Sequence, residues 1–261
     1  MYIDVHCHLT DPEYDNFDGV AAVVRRAEEA GVERMICSGC SLDSSIVAAR
    51  IAETYESVYF CVGFHPCELD KYKEGDLDRI AALCSHEKCV AVGEIGLDYH
   101  YENNPSKELQ RELFVRQLEL ADRVGLPVVL HSRDAAQETA EILEANAHLL
   151  KRGGVMHCYS YSAEMSDRFA ALGLSFSFGG TSTFKNARKV LESVRRIPAP
   201  LILSETDCPY LTPEPYRGVF PNEPCRVVHV VEKLAELKGT TSEQMQKQIL
   251  ENAERLFFKL H

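Results

Sequence analysis

Tyr2-Ile3-Asp4-Val5-His6-Cys7-His8 is an apolar run ending in two histidines one residue apart, and its reading decides the fold. A β-strand points residues i and i+2 to the same face about 6 to 7 Å apart, so His6 and His8 turn both imidazoles toward one point. The pattern recurs, with short runs of Val, Ile, Leu or Met closed by an imidazole or a carboxylate. Glu94 closes Val90-Ala91-Val92-Gly93, and His131 closes Val128-Val129-Leu130. His157 closes Val155-Met156, and Asp207 closes Leu201-Ile202-Leu203-Ser204-Glu205-Thr206.

Outward from that first run, strand-like segments are expected at about 2–8, 34–38, 58–63, 90–95, 127–131, 155–158, 174–179 and 201–206. Helical spacing of apolar residues fills the intervals at about 17–30, 43–54, 76–86, 107–124, 135–148, 162–172 and 184–195. Such alternation predicts parallel strands joined by crossover helices. Eight units in 261 residues favour an α/β chain folded as one closed (β/α)₈ barrel, a TIM barrel forming a single domain over 1–261. No Gly-x-Gly-x-x-Gly follows the first strand, which removes the usual argument for an open dinucleotide-binding sheet. A proline-rich segment, Cys208 to Pro224, leads to two final helices near 223–238 and 242–258. Thr241 and Gln244 have the spacing of a capping box for the second.

Barrel enzymes place their chemistry at the C-terminal strand ends. Of the ten histidines, His6, His8, His65, His131 and His157 fall at such ends, whereas His86, His100, His148, His229 and His261 fall on helices or loops. The imidazoles of His6, His8, His131 and His157, with the carboxylates of Glu94 and Asp207, exceed what one tetrahedral zinc with an open position needs. Two divalent ions fit better. His6, His8 and Asp207 would serve one, His131 and His157 the other, with Glu94 bridging both.

Composition sets limits on partners. With 28 basic and 40 acidic residues the formal charge is -12, which repels nucleic acid overall and excludes a stoichiometric DNA coat. An enzyme meeting phosphate in one local pocket, with metal cations supplying positive charge, stays compatible. Nothing like a secretory signal follows Met1, so the ten cysteines are expected to be reduced and the compartment cytoplasmic. Cys37 and Cys40 form a lone Cys-x-x-Cys, read as small, partly buried hydrophobes. No run reaches the ~20 apolar residues of a membrane span.

Six stretches occur together in order: Asp4-Val5-His6-Cys7-His8-Leu9, Gly63-Phe64-His65-Pro66, Gly93-Glu94-Ile95-Gly96-Leu97-Asp98-Tyr99, His131-Ser132-Arg133-Asp134-Ala135, His157-Cys158-Tyr159 and Glu205-Thr206-Asp207-Cys208-Pro209-Tyr210-Leu211. Over essentially its whole length the chain thereby resembles the TatD family of metal-dependent deoxyribonucleases, among the amidohydrolase-like metal barrels. The resemblance implies a (β/α)₈ fold, a divalent metal centre at the six residues above, and hydrolysis of DNA phosphodiester bonds, in the 3′→5′ direction from single-stranded ends. Cys208 departs from the small Ala or Ser common at that position, a change expected to alter packing beside Asp207 and leave ligation intact.

In that setting Asp207 is expected to orient a water and accept its proton, with Glu94 as the other catalytic carboxylate. His65 and Arg133, just past strand ends, are expected to contact substrate, since a planar guanidinium suits two phosphate oxygens at once. Glu205 shares the face of Asp207 and is expected either to hold a ligand or to touch substrate. Arg217 and Asn222 look like family positions that shape the pocket. Imidazole-rich ligation favours Zn or Mn over Mg, though the family is associated with several divalent ions. DNA is expected as a transient partner of a monomer. The chain shows no basic stripe with interleaved aromatics, which favours a short contact at a DNA end.

Two other functions compete. An amidohydrolase-like barrel would cleave an ester or C–N bond in a small acidic substrate. Related barrels often bridge their metals with a carbamylated lysine, whereas here Glu94 stands at the fourth strand and no lysine ends the fifth. A non-catalytic metal-binding scaffold would show damage to the ligand set, and none is visible.

Overall fold

In the computed structural model, which describes residues 1–260, eight strands pair in sequence order as one parallel sheet. They are β1 (Tyr2–Cys7), β2 (Val32–Ser38), β3 (Val58–Val62), β4 (Cys89–Asp98), β5 (Val128–Arg133), β6 (Gly154–Met156), β7 (Leu174–Phe178) and β8 (Ile202–Ser204). Among the described residues ten α-helices follow or connect them. These are α1 (Glu13–Phe17), α2 (Val20–Glu29), α3 (Leu42–Thr54), α4 (Asp76–Leu83), α5 (Lys107–Val124), α6 (Ala136–Ala145), α7 (Ala163–Ala171), α8 (Arg188–Arg196), α9 (Val227–Lys238) and α10 (Ser242–Leu256).

The ends of the sheet meet. Past the last residue of β8, Asp207 N donates to the His6 carbonyl at 3.0 Å and His8 N to the Cys208 carbonyl at 2.8 Å. Deeper in the same seam, the buried Asp4 carboxylate accepts from Thr206 N at 2.9 Å and from Thr206 Oγ1 at 2.5 Å. Ser204 Oγ donates to the Ile3 carbonyl at 2.8 Å. The expected (β/α)₈ barrel is therefore the fold.

The strands are buried along nearly their whole length, as a parallel sheet covered by helices requires. Helix α5 shows how the sequence builds the outer layer. Ser106 Oγ accepts from Leu109 N at 3.3 Å to start it, and Gly125 stops it at φ 71°. Leu113, Phe114, Leu118 and Ala121 recur at helical spacing and are buried against the barrel. Truncating a buried Phe such as Phe114 to Ala costs about 3–5 kcal/mol. The expected capping box is present in α10, where Thr241 Oγ1 accepts from Gln244 N and Gln244 Oε1 accepts from Thr241 N, both at 3.2 Å.

Element boundaries differ where the chain bends for the site. Strand β4 runs on through Asp98 rather than ending near 95, because Gly96 (φ 145°) pairs with His131 where any Cβ would collide with the His131 carbonyl. Strand β8 is shorter than expected. Beyond Ser204 the chain turns, and Asp207 adopts φ 53°, a left-handed conformation that non-glycine residues rarely hold. A short helix, α1, precedes α2 where only one helix was expected, since Gly19 (φ 79°) separates them. Among the described residues no helix is long and apolar enough to cross a membrane.

Candidate metal centre

The side chains of His6, His8, Glu94, His131, His157 and Asp207 converge at the mouth formed by the C-terminal strand ends. His6 projects from β1, and His8 lies one residue beyond it on the same side. Glu94 sits in the register shift of β4 between Val92 and Ile95, where its amide leaves the ladder and donates to the Gly39 carbonyl at 3.2 Å. His131 lies in β5, whereas His157 and Asp207 lie just past β6 and β8.

The donor atoms divide into two groups around the two oxygens of Glu94. His6 Nε2 and His8 Nε2 lie 3.2 and 3.7 Å from Glu94 Oε2. Those nitrogens are 3.2 Å apart and lie 3.7 and 3.2 Å from Asp207 Oδ1. On the other side, His131 Nδ1 is 2.7 Å and His157 Nε2 2.8 Å from Glu94 Oε1, with 3.2 Å between the nitrogens. Four donors about 2.0–2.2 Å from one tetrahedral ion lie roughly 3.3–3.6 Å from one another, which is the spacing of the first group.

The proton inventory also fits cations. His131 Nε2 is 3.0 Å from Asp98 Oδ2, an acceptor that keeps the ring proton on Nε2. His131 Nδ1, 2.7 Å from Glu94 Oε1 and 3.2 Å from His157 Nε2, then needs positive charge beside it, supplied by a second ring proton or by a metal ion. The buried Nδ1 atoms of His6 and His157 have no hydrogen-bond partner.

Electrostatics tie the cluster together. Burial by itself would raise the Glu94 carboxyl, but His157, His65 and His6, with the hydrogen bond from His131, hold it well below the ordinary carboxylate range. Burial opposes protonation of His157, yet Glu94 and Glu205 lift it well above its usual value. In His6 burial prevails, helped by His157, and the value falls.

Among the substrate candidates, His65 Nδ1 accepts from Cys67 N at 3.1 Å, which leaves the proton on Nε2, 3.3 Å from Glu94 Oε1. Arg133 is exposed and rests on Tyr101, with Nη1 donating to the hydroxyl at 3.1 Å. Glu205, expected either to hold a ligand or to touch substrate, lies beside His157. The residue is fully buried, and its oxygens accept from Cys158 N at 2.6 Å and Ser177 Oγ at 2.5 Å, with His157 Nδ1 3.7 Å away. Asn222 is buried and braces the β8 loop through Nδ2 to the Thr206 and Tyr210 carbonyls, whereas Arg217 is exposed over the Phe184 ring at 4.0 Å.

Sequence reasoning missed two neighbours of the site. Asp98, which orients His131, lies four residues from Glu94 in one strand and so nominally shares its face; period-two alternation was the available signal. Cys40, read as a small hydrophobe, brings Sγ to 3.6 Å from His8 Nδ1. No local pattern announces that contact. Cys37 is buried as expected.

The sequence profile of the family described as "TatD related DNase" matches residues 3–258. The Bacillus subtilis protein YabD, named an uncharacterized metal-dependent hydrolase, is 42% identical over 258 residues, covering 98% of this chain and 99% of its own. Escherichia coli YcfH, named likewise, is 34% identical over 257 residues, covering 98% and 95%. The crystal structure of the TatD homologue YjjV from Escherichia coli superposes with a TM-score of 0.91 at 33% identity, covering 98% of each chain.

Proposed function

Because the chain belongs to the family of TatD-related DNases, we propose that it is a divalent-metal-dependent hydrolase of DNA phosphodiester bonds, working as a 3′→5′ exonuclease on single-stranded ends. The observation that carries this reading is the division of Glu94, whose Oε2 faces His6 and His8 while its Oε1 faces His131 and His157, with His65 beside them. His6, His8 and Asp207 would hold one ion and His131 and His157 the other, with Glu94 shared. Imidazole-rich donors favour Zn or Mn over Mg. When bound, such a pair supplies Lewis acidity to a phosphate and brings water toward hydroxide near neutral pH.

The protein's own groups do the rest. Asp207 turns Oδ1 to His6 and His8, which leaves Oδ2 as the acceptor for the proton of the attacking water. Asp98 holds His131 in orientation, and Glu205 lies beside His157. His65 presents an N–H at the mouth, and the Arg133 guanidinium offers a fork for two phosphate oxygens. A formal charge of -12 keeps long duplex away, so the grip is local to an end and the encounter transient. A monomer in the cytoplasm completes this reading.

Metal analysis of purified protein, followed by digestion of end-labelled single-stranded DNA with and without chelator, tests it. Chelator-sensitive loss of terminal nucleotides is the expected result. Turnover of small esters or amides without DNA cleavage would replace it with the amidohydrolase reading, and inertness of fully metallated protein toward both with the scaffold.

A further inference from the structure

Nine large apolar side chains are left exposed among the described residues, and their placement is uneven. Six of them, Phe17, Tyr101, Tyr210, Tyr216, Val219 and Phe220, lie in segments after β1, β4 and β8, at the end of the barrel that carries the donor cluster. Exposed apolar groups gathered at one rim mark a surface that something covers.

The rim is ordered rather than loose. Asn222 N donates to the Pro209 carbonyl at 2.8 Å and Thr212 Oγ1 to the Val219 carbonyl at 2.7 Å, closing the β8 loop on itself. Glu214 N donates to Thr183 Oγ1 at 2.9 Å and ties the loop to the segment after β7. Tyr210 is fixed beside the centre, its amide bonded to the Asp207 carbonyl at 3.1 Å and its hydroxyl to Asp11 Oδ2 at 3.0 Å. Phe220 lies 6.4 Å from Tyr210 between ring centroids, with the planes tilted by 39°, and both are about half exposed.

Three observations choose the occupant. The Tyr210 amide is hydrogen-bonded to the carbonyl of Asp207, so the ring stands on the same turn that carries a member of the donor cluster, which favours the substrate as its occupant. The surface is built of flat groups: besides the aromatic rings, Arg133 lies on Tyr101 at 5.0 Å and Arg217 on Phe184 at 4.0 Å, and neither guanidinium has a carboxylate partner among the described residues. Finally, a chain of charge -12 without a basic groove must draw nucleic-acid affinity from something other than phosphate attraction.

We propose that Tyr210 and Phe220, with Tyr101 on the β4 side of the mouth, form a stacking subsite for the unpaired bases of a nucleic-acid end. The inference rests on the phosphodiesterase reading above and adds the residues that select an unpaired end. Bases held in a duplex stack on one another and have no free face to offer these rings, whereas every unpaired base does.

The sequence contains no tryptophan, so Phe220→Trp places a single emitter on the rim. Metal-loaded F220W protein is titrated with a single-stranded oligonucleotide carrying cleavage-resistant phosphorothioate linkages, and with one of equal length and charge whose terminal residues are abasic. Saturable quenching by the first and not the second is expected; equal quenching by both, or none, overturns the subsite.

A cleavage measurement guards against a variant that misfolds. For wild type, kcat/KM on a normal end should exceed that on an abasic end by roughly 5- to 100-fold. For Tyr210→Ala the ratio should fall toward one, and an unchanged ratio overturns the proposal. A ratio of one in active wild type sinks the subsite alone, whereas absence of any phosphodiester cleavage sinks the function and the subsite together. A stable dimer that Phe220→Ala dissociates would show that a second copy covers the rim, which also overturns it.

Discussion

The two halves of the donor cluster are built on opposite plans. The half around Glu94 Oε2 takes both imidazoles from one strand and its extension, with Asp207 arriving across the β1–β8 seam. The half around Glu94 Oε1 draws His131 and His157 from separate strands, with Asp98 hydrogen-bonded behind His131 at 3.0 Å and the buried Glu205 an ionic neighbour of His157 Nδ1 at 3.7 Å, beyond hydrogen-bond reach. No carboxylate is hydrogen-bonded to an Nδ1 atom of the first pair, although Glu205 lies near His6 as well as His157. His6 Nδ1 is unpartnered, and His8 Nδ1 meets only the Cys40 thiol at 3.6 Å. Of the four imidazoles, His131 alone is thus hydrogen-bonded to a carboxylate from behind, a contact that fixes both its tautomer and its ring plane.

Glu94→Ala removes the one group common to both halves. It should empty the cluster of metal and lower hydrolysis by on the order of 10³-fold or more, with the far-UV circular dichroism of the barrel retained. Metal content near wild type would show that the halves bind independently. Asp207→Asn keeps an oxygen facing His6 and His8 while weakening the proton acceptor. It should lower kcat by roughly 10²–10⁴-fold with metal retained, and a pure KM effect would remove Asp207 from proton transfer.

Asp98→Asn attacks the strongly braced half and should weaken metal affinity about 10–100-fold. The same residue gives a pH signature in metal-free protein. Burial would raise its carboxyl, but the hydrogen bonds with His131 and His100 N bring it down to about 2. A carboxylate depressed in the folded state contributes stability above its unfolded value of about 3.9, lost as pH falls through the folded value. Denaturant midpoints of wild type and Asp98→Asn should therefore differ at neutral pH and converge toward pH 2; a constant gap would refute the pairing.

Arg133→Ala touches neither half and should raise KM about fivefold to tenfold with kcat nearly preserved, as expected for a group that grips a ground-state phosphate. The smallest effect belongs to Cys40→Ala, which should change metal affinity by less than about threefold. If it equals Asp98→Asn, the thiol braces His8 as firmly as a carboxylate, and the contrast between the halves disappears.

The same contrast governs what could be read from the amino-acid order. The i, i+2 spacing of His6 and His8 follows from strand geometry alone, and eight apolar runs alternating with helical spacing gave the barrel its strand count. Asp98 was legible in principle from its offset to Glu94. The Cys40 contact with His8 was not, because it joins the ends of β1 and β2 through tertiary packing. Nor was the way Asp207 reaches the mouth, since its strand stops at Ser204 and a left-handed turn supplies the last step. The outward face of the β8 loop escaped notice because its aromatic residues follow no period and lie among prolines.

The seam between β1 and β8 has a consequence for biosynthesis. His6 and His8 are made long before Asp207, which comes into position only when the eighth strand zips alongside the first. A half-finished copy on the ribosome therefore lacks the closed donor cluster, since the order of translation itself withholds its last member.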